Sequence, residues 1–354
     1  MKKIILIFMF LSFFLCGCTR PAEYREPEQV IITAALGFDN ENGNIALSAE
    51  TVNTSGNEEA YKPQVIKGIG QTVSLVLQQI SDSLGGKMFL GHCTTVILGE
   101  SLTHEQIEKI FSFLQEEQEI SLAVKLITAQ NAKEALSGKS YFDDAVGFDI
   151  LKLLGTKGDI AAKDSYASLF SVARYKESDN PCFTLPYFST VSGDEESRLT
   201  PDGAGIFSGN LYICRLSADE DRLFKILSDN FSSGVLLVDT NEKSIQLQIL
   251  ESNCKKAIDY ADKTLSLSFD VKLTASDKGL SGKDITTFSK TLGEECEEFL
   301  KKIRTEIKED IFHITDYIRR YEPLIYKKIE KDPLGAFLNC EITVECKTVI
   351  GEGQ

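Results

Sequence analysis

Hydrophobic positions along the chain follow two periods, one of two residues and one of three to four. Residues 29–38 (QVIITAALGF) and 44–52 (NIALSAETV) are β-branched and apolar, and the turn formers Asp39-Asn40-Glu41-Asn42-Gly43 between them predict a hairpin. Val73, Val76, Leu77 and Ile80 recur at helical spacing within 69–84, a stretch closed by Gly85-Gly86. Residues 88–98 (MFLGHCTTVIL) then predict a strand. Thr103 with Gln106 forms a capping box ahead of Ile107, Ile110, Phe111 and Leu114, so a helix is expected to about Gln118. Residues 120–129 predict a further strand, 132–136 a short helix, 149–154 a continued helical periodicity and 155–164 a loop.

After the polar stretch 192–197 the pattern changes. Gly205-Ile206-Phe207 and Leu211-Tyr212-Ile213-Cys214 flank a Ser208-Gly209-Asn210 turn, the signature of a tight hairpin. Ser217 and Glu220 cap a helix carrying Leu223, Phe224, Ile226 and Leu227. Ile245-Leu247-Ile249 and Leu265-Leu267-Phe269-Val271-Leu273 alternate strictly with polar residues and predict half-buried antiparallel strands. From Asp284, Ile285, Phe288, Leu292, Cys296, Phe299, Ile303 and Ile307 mark one face of a long helix, and Ile342-Val344-Cys346 a final strand. The expected fold is α+β, with two to three mixed domains, each a largely antiparallel sheet flanked by helices. The expected divisions are an N-terminal α/β domain over 29–195, then a C-terminal region over 196–354. That region divides into a middle domain at 196–264 and a helix-rich domain at 265–354.

The first residues have a different logic. Lys2 and Lys3 precede a run, 4–15, that is apolar except for Ser12. This is the length of a signal-peptide core and short of the roughly 20 residues a spanning helix needs. The run ends in Leu15-Cys16-Gly17-Cys18, which resembles a bacterial lipobox. Residues 1–17 are therefore expected to be a lipoprotein signal peptide, Cys18 the lipidated residue, and 18–28, with Pro21 and Pro27, a polar tether. Two or more acyl chains anchor a protein stably where one is marginal.

Charge removes one class of function. With 38 Lys and Arg against 53 Asp and Glu, the net charge is −15, and no basic surplus exists to neutralise nucleic-acid phosphates. Of nine cysteines, seven remain after Cys16 and Cys18, an odd number that cannot all pair within the chain. Cys340 and Cys346 would lie about 20 Å apart on one continuous strand, beyond the roughly 7 Å a bridge permits. No CxxC occurs, and apolar neighbours make small buried hydrophobe the expected role of most cysteines.

Several segments in order resemble the Ger(x)C family, the C subunits of bacterial spore germinant receptors. They begin with Cys18, the strand end Leu36-Gly37-Phe38-Asp39, and Gly91-His92-Cys93-Thr94-Thr95-Val96-Ile97-Leu98-Gly99-Glu100. Then come Gly203-Ala204-Gly205-Ile206-Phe207 before Asn210-Leu211, Asp310-Ile311-Phe312, and Ile318-Arg319-Arg320-Tyr321 near the end. Thr19-Arg20 stands where the family commonly has Trp-Asp, and the chain contains no Trp. The resemblance implies a non-enzymatic subunit, lipid-anchored on the outer face of the spore inner membrane. It also implies two integral-membrane partners, the A and B subunits, and a family fold of mixed α/β domains. No cofactor and no metal are expected, and direct germinant binding by this subunit is left open.

Other readings are weighed against this. His92 is expected in a buried strand, His104 in the first turn of a capped helix, and His313 on a helix near Asp316, none of them an evident catalytic dyad. Gly68-Ile69-Gly70-Gln71-Thr72 suggests a phosphate loop superficially but lacks its Lys, its preceding apolar strand and GxGxxG spacing, so a flexible start to a helix is the better reading. Glu116-Glu117, Asp194-Glu195-Glu196 and 294–298 read as solvated acidic faces or loops. A solute-binding lipoprotein of an uptake system is the alternative function, and it predicts two similar βαβ lobes with parallel strands. An aromatic cage would need Tyr166, Tyr175 or Tyr187 in place, which sequence does not supply.

Overall fold

The computed structural model describes residues 30–52, 63–141, 145–155, 168–192, 197–240, 243–276 and 279–351. The leader, Cys18, the tether, the expected loop 155–164 beyond its first residue, Asp194-Glu195-Glu196 and Tyr166 lie outside the described residues.

The first hairpin forms as its pattern predicts. Strands β1 (Val30–Glu41) and β2 (Asn44–Val52) pair antiparallel. Asn42 and Gly43 both take positive φ, 52° and 84°, as a two-residue turn matched to strand twist requires. Strand β3 (Gln64–Gly70) adds antiparallel to β2 and leads into helix α1 (Val73–Leu84), capped by the Thr72 hydroxyl. Gly68-Ile69-Gly70 is therefore not a flexible start to a helix, as the sequence suggests, but the end of β3 itself, an antiparallel edge strand paired with residues 45–47 of β2. A Cβ at Gly68 would lie 2.6 Å from Cγ1 of Val76, so this glycine lets the helix lie close on the strand.

The single strand expected over 88–98 is broken. Strand β4 (Lys87–Phe89), a 3-10 turn (Leu90–His92) and strand β5 (Thr95–Gly99) replace it, and both strands pair parallel with β1. From Ile32 to Ala35 on β1 the partner chain runs from Phe89 to Thr95, and the turn takes up the extra residues. His92 is therefore exposed on that turn, edge-on to Phe89, and is not in a buried strand. Helix α2 (His104–Glu116) carries the expected capping box and returns the chain to β6 (Lys125–Ala129), parallel to β5. This strand starts later than expected, because Glu117 and Ser121 accept bonds from the nearby backbone N–H groups of Glu119 and Ala123 and hold the preceding residues in turns.

Carboxylates on the first two strands seat the next two helices. Asp39 accepts from Ala132 N (2.9 Å) and Lys133 N (3.0 Å) at the start of α3 (Ala132–Leu136). Glu50, 1% exposed, accepts from Val146 N (2.6 Å) and Gly147 N (2.8 Å) at the start of α4 (Val146–Gly155). Both place negative charge where a helix N-terminus has unpaired N–H groups. A Cβ at Gly99 would fall 2.0 Å from Asp39 Oδ1, so two of the segments that carry the family resemblance meet at this cap.

Helix α5 (Leu169–Lys176) precedes β7 (Cys182–Ser192), β8 (Ser197–Ser208) and β9 (Leu211–Leu216). The first sheet runs β3-β2-β1-β5-β6-β7-β8-β9, with parallel pairs at its centre and antiparallel pairs at both ends. The parallel centre follows from the β5-α2-β6 crossover, which returns the chain to the same end of the sheet before each strand.

Helix α6 (Ala218–Leu227) leads to a second sheet, β10 (Gly234–Asp239), β11 (Ser244–Ala261), β12 (Thr264–Ser276) and β13 (Glu341–Gly351), in that order. The long helix α7 (Gly282–Lys302), continued by a π-turn (Ile303–Ile307), packs with α8 (Ile314–Tyr321), α9 (Pro323–Ile329) and α10 (Pro333–Leu338) on this part of the molecule. β13 is parallel to β12. The expected break at 195/196 falls within the β7–β8 hairpin, and that at 264/265 at the head of β12, just past the turn that joins it to β11. Strand pairing instead divides the sheets between β9 and β10. Cys182, Ile206 and Leu216 of the first sheet still share one apolar cluster with the second, so the core is continuous across that division.

Candidate functional site

Between the sheets lies a cleft of about 320 Å³. One wall is α5, whose last turn presents Arg174 and Tyr175, with Phe183 and Thr184 of β7. The opposite wall is the segment from Ile311 to Tyr321, with Phe224 of α6 beside it.

Asp310 organises that second wall. It is 1% exposed and accepts from Ile314 N (3.0 Å), Thr315 N (2.8 Å) and Thr315 Oγ1 (2.8 Å). Burial pushes its carboxyl up from the ordinary value, and these donations offset part of that shift. They also pin the start of α8, where His313 takes φ 52°, uncommon for a residue with a Cβ. The His313 ring stacks on Tyr175, with centroids 4.6 Å apart. Its Nδ1 lies 3.3 Å from Asp316 Oδ2 and 3.3 Å from Asn180 Nδ2. Asp316 also accepts from Arg319, which pairs in turn with Asp179. His313 is thus a wedge between two elements, held by ring contact and polar neighbours.

The floor carries Lys256, and β11 explains how it comes to be there. Ile245, Leu247 and Ile249 point inward at the odd positions, then the register shifts between Ile249 and Glu251. A bulge of this kind turns the following side chains to the other face. Past it the even positions face inward, and Lys256 sits opposite the buried Phe269. Its Nζ is 5.9 Å from the ring centroids of both Phe269 and Phe312. Burial pulls the Lys256 pKa below the ordinary lysine value, while Asp310 and Asp229 act in the opposite direction from a distance. Among the described residues, no carboxylate lies within 4.0 Å of its ammonium. Arg320 and Arg174 reach the exposed rim, and Tyr317 and Tyr321 lie together on α8, centroids 4.8 Å apart. The arrangement offers cations and ring faces, which suit the binding of an anion with an apolar body.

Other residues singled out in the sequence lie apart from this cleft. His104 is the exposed first residue of α2, after its Thr103 cap. Tyr187 is buried in the first sheet under the Arg215 guanidinium, 4.2 Å from the ring centroid. Burial and Glu100 push its hydroxyl up to about 12. Of the seven cysteines among the described residues, all free, Cys93, Cys182, Cys254, Cys296 and Cys340 are buried, in keeping with their reading as small hydrophobes. Burial pushes the Cys93 thiol up to about 12, which makes a reactive thiolate unfavourable. Among the described residues no cluster of three or more His, Cys, Asp or Glu is placed to hold a metal, and no helix is long and apolar enough to cross a membrane. A second groove of about 540 Å³, between α6, β10 and α7, is lined by charges of both signs, with Glu220 paired to Lys302. Lys256, Arg174 and Arg320 were not identified from sequence as site residues. The available signal was that Asp310-Ile311-Phe312 and Ile318-Arg319-Arg320-Tyr321, two segments of the resemblance, form the cleft's second wall.

Comparison with known proteins gives a consistent picture. Two family models match in series, the spore germination protein N-terminal domain over residues 23–190 and the spore germination B3/GerAC-like C-terminal domain over 202–353. Spore germination protein B3 of Bacillus subtilis (strain 168) is 21% identical over 360 aligned positions, spanning 93% of this chain and 91% of that protein. The crystal structure of the GerBC protein superposes with a TM-score of 0.62 at 17% identity, covering 90% of this chain and 97% of that one, and so shares its fold. The boundary between the two family models falls in the β7–β8 hairpin, within one continuous sheet.

Proposed function

The chain belongs to the Ger(x)C family of spore germination proteins, and from that premise we propose that it is the lipid-anchored, non-enzymatic subunit of a spore nutrient germinant receptor. In this reading Cys18 carries the lipid and residues 18–28 tether the folded body to the outer face of the spore inner membrane. The body works in assembly and signalling with two integral-membrane subunits. The observation that carries the proposal is the serial match of both family domains over nearly the whole chain after residue 22. The leader pattern supports the anchor, since a body of this kind needs acyl chains to stay at a membrane. The alternative of a solute-binding lipoprotein fits less well, because the two sheets differ in strand order and pairing and do not form two similar parallel lobes.

Two measurements test the proposal. Deleting the gene should abolish germination in response to one set of nutrients and leave vegetative growth unchanged; normal germination with every nutrient would sink the receptor role. Cys18→Ala should release the protein from membranes or leave an uncleaved precursor. Acyl labelling that persists in that variant would remove the assignment of Cys18.

A further inference from the structure

Among the described residues, Lys256 is the one cation in the cleft that sits inward on a sheet face, beside a pair of phenyl rings, with no carboxylate in ion-pair reach. Burying an ammonium without a counter-ion is unfavourable. The bulge after Ile249 is what places it there, and the cleft opens onto it. Arg174 and Arg320 add two further cations at the rim, likewise without a carboxylate partner among the described residues, while Asp316 is engaged by Arg319. A locally cationic, ring-lined cleft in a chain of net charge −15 is a local reversal of sign.

We propose that this cleft binds a small organic carboxylate with an apolar or planar body, its carboxylate paired with Lys256 and its body against Phe312 and the Tyr175 and Tyr321 rings. The size of the space sets the scale of the ligand. At a water's share of about 30 Å³, 320 Å³ holds about ten non-hydrogen atoms, and the cleft lies at the small end of ligand sites. Ring faces pack the body, and the low local dielectric strengthens the charged pair. The ligand supplies the counter-ion that the fold leaves out. This inference goes beyond the receptor reading and rests on the cleft alone.

The test uses the full chain in detergent micelles with phenylacetate as probe, followed by calorimetry and ligand-observed NMR. Phenylacetamide is the neutral control of the same shape. Phenylacetate should bind, and the amide should bind about tenfold or more weakly, the usual difference for a charge-assisted pair. Lys256→Gln should abolish that preference, and Lys256→Met, which keeps the apolar stem, should do the same if the Gln variant does not fold. Lys272→Gln, on the outer face of β12, should change nothing. In the wild type, phenylacetate should raise the Lys256 pKa back toward the ordinary lysine value, as read from its Cε and Nζ resonances. Absence of phenylacetate binding, equal affinity for acid and amide, or an unchanged preference in both Lys256 variants would overturn the proposal. Each outcome is independent of the germination phenotype, so failure here leaves the receptor reading standing.

Discussion

The two sheets solve the same burial problem in different ways. In the first, α1, α2 and α5 cover one face and α3 and α4 the other, so every residue of β5 is buried, with Val96 and Leu98 on one side and Ile97 on the opposite side. In the second, helices cover one face only. Leu265, Leu267, Phe269, Val271 and Leu273 are buried there, while Ser268 and Lys272 are exposed on the other. A doubly covered strand reads as a continuous apolar run, whereas a singly covered one alternates. The difference also decides where polar groups can sit. In the first sheet, buried carboxylates such as Asp39 and Glu50 are satisfied by helix N-termini. In the second, a half-buried lysine on the inward face is left beside a cleft.

The largest expected effect tests the double cover. Ile97→Asp puts a carboxylate against α3 and α4, and Val96→Asp puts one against α1 and α2. Each should cost on the order of 4 kcal/mol or more and unfold much of the population, since no donor awaits the charge. The matched change on the second sheet, Ser268→Asp, should stay within about 0.5 kcal/mol because that side chain faces solvent. Denaturant unfolding of the three variants measures the contrast. A tolerated Ile97→Asp would mean that the α3–α4 layer is loosely packed, and a costly Ser268→Asp would mean that something covers the open face.

The next effect tests the single cover. Phe299 is 3% exposed on α7 and meets Phe312 edge-on at 6.3 Å. Phe299→Ala should cost about 3–5 kcal/mol, a large part of a domain's usual margin. Wild-type thermal stability in this variant would show that α7 contributes little to the core and presents that face elsewhere.

Much of this comparison was legible in the sequence, and its gaps have physical causes. The β1–β2 hairpin, the capped helices and the alternation of β12 follow from turn residues, caps and period, which are local signals. The break between Phe89 and Thr95 was hidden because apolar residues on both sides satisfy a strand pattern, and only pairing with β1 shows that the two pieces are out of step. The parallel partnership of β12 and β13 joins segments separated by the whole of α7 to α10, and no short-range feature encodes it. The cleft was missed for a sharper reason. Lys256 lies in a segment of alternating character, and without the shift after Ile249 that alternation places it on the solvent side. A one-residue slip in register exchanges the two faces.

The smallest effect concerns how the single cover is fastened. Asp284, in the first turn of α7, accepts from Ser281 N (3.2 Å) and Ser281 Oγ (2.8 Å) and pairs with Lys243 Nζ (2.7 Å), just before β11. The Lys243 ammonium and the Ser281 donors hold its carboxyl at about 2, below the ordinary 3.8. A carboxyl with a lowered folded pKa contributes stability that is complete above the unfolded value and is lost as the pH falls through the folded one. The stability difference between wild type and Asp284→Asn should therefore be constant above about pH 5, shrink from pH 4 downward, be small at pH 2 and vanish only below it. It should also shrink with added salt, because the pair is exposed to solvent. Denaturant melts at each pH measure it. A difference that persists unchanged at pH 2 would assign the effect to helix capping by the side chain itself, with Asn standing in poorly for Asp, and would remove the ion pair from what fastens α7 to the second sheet.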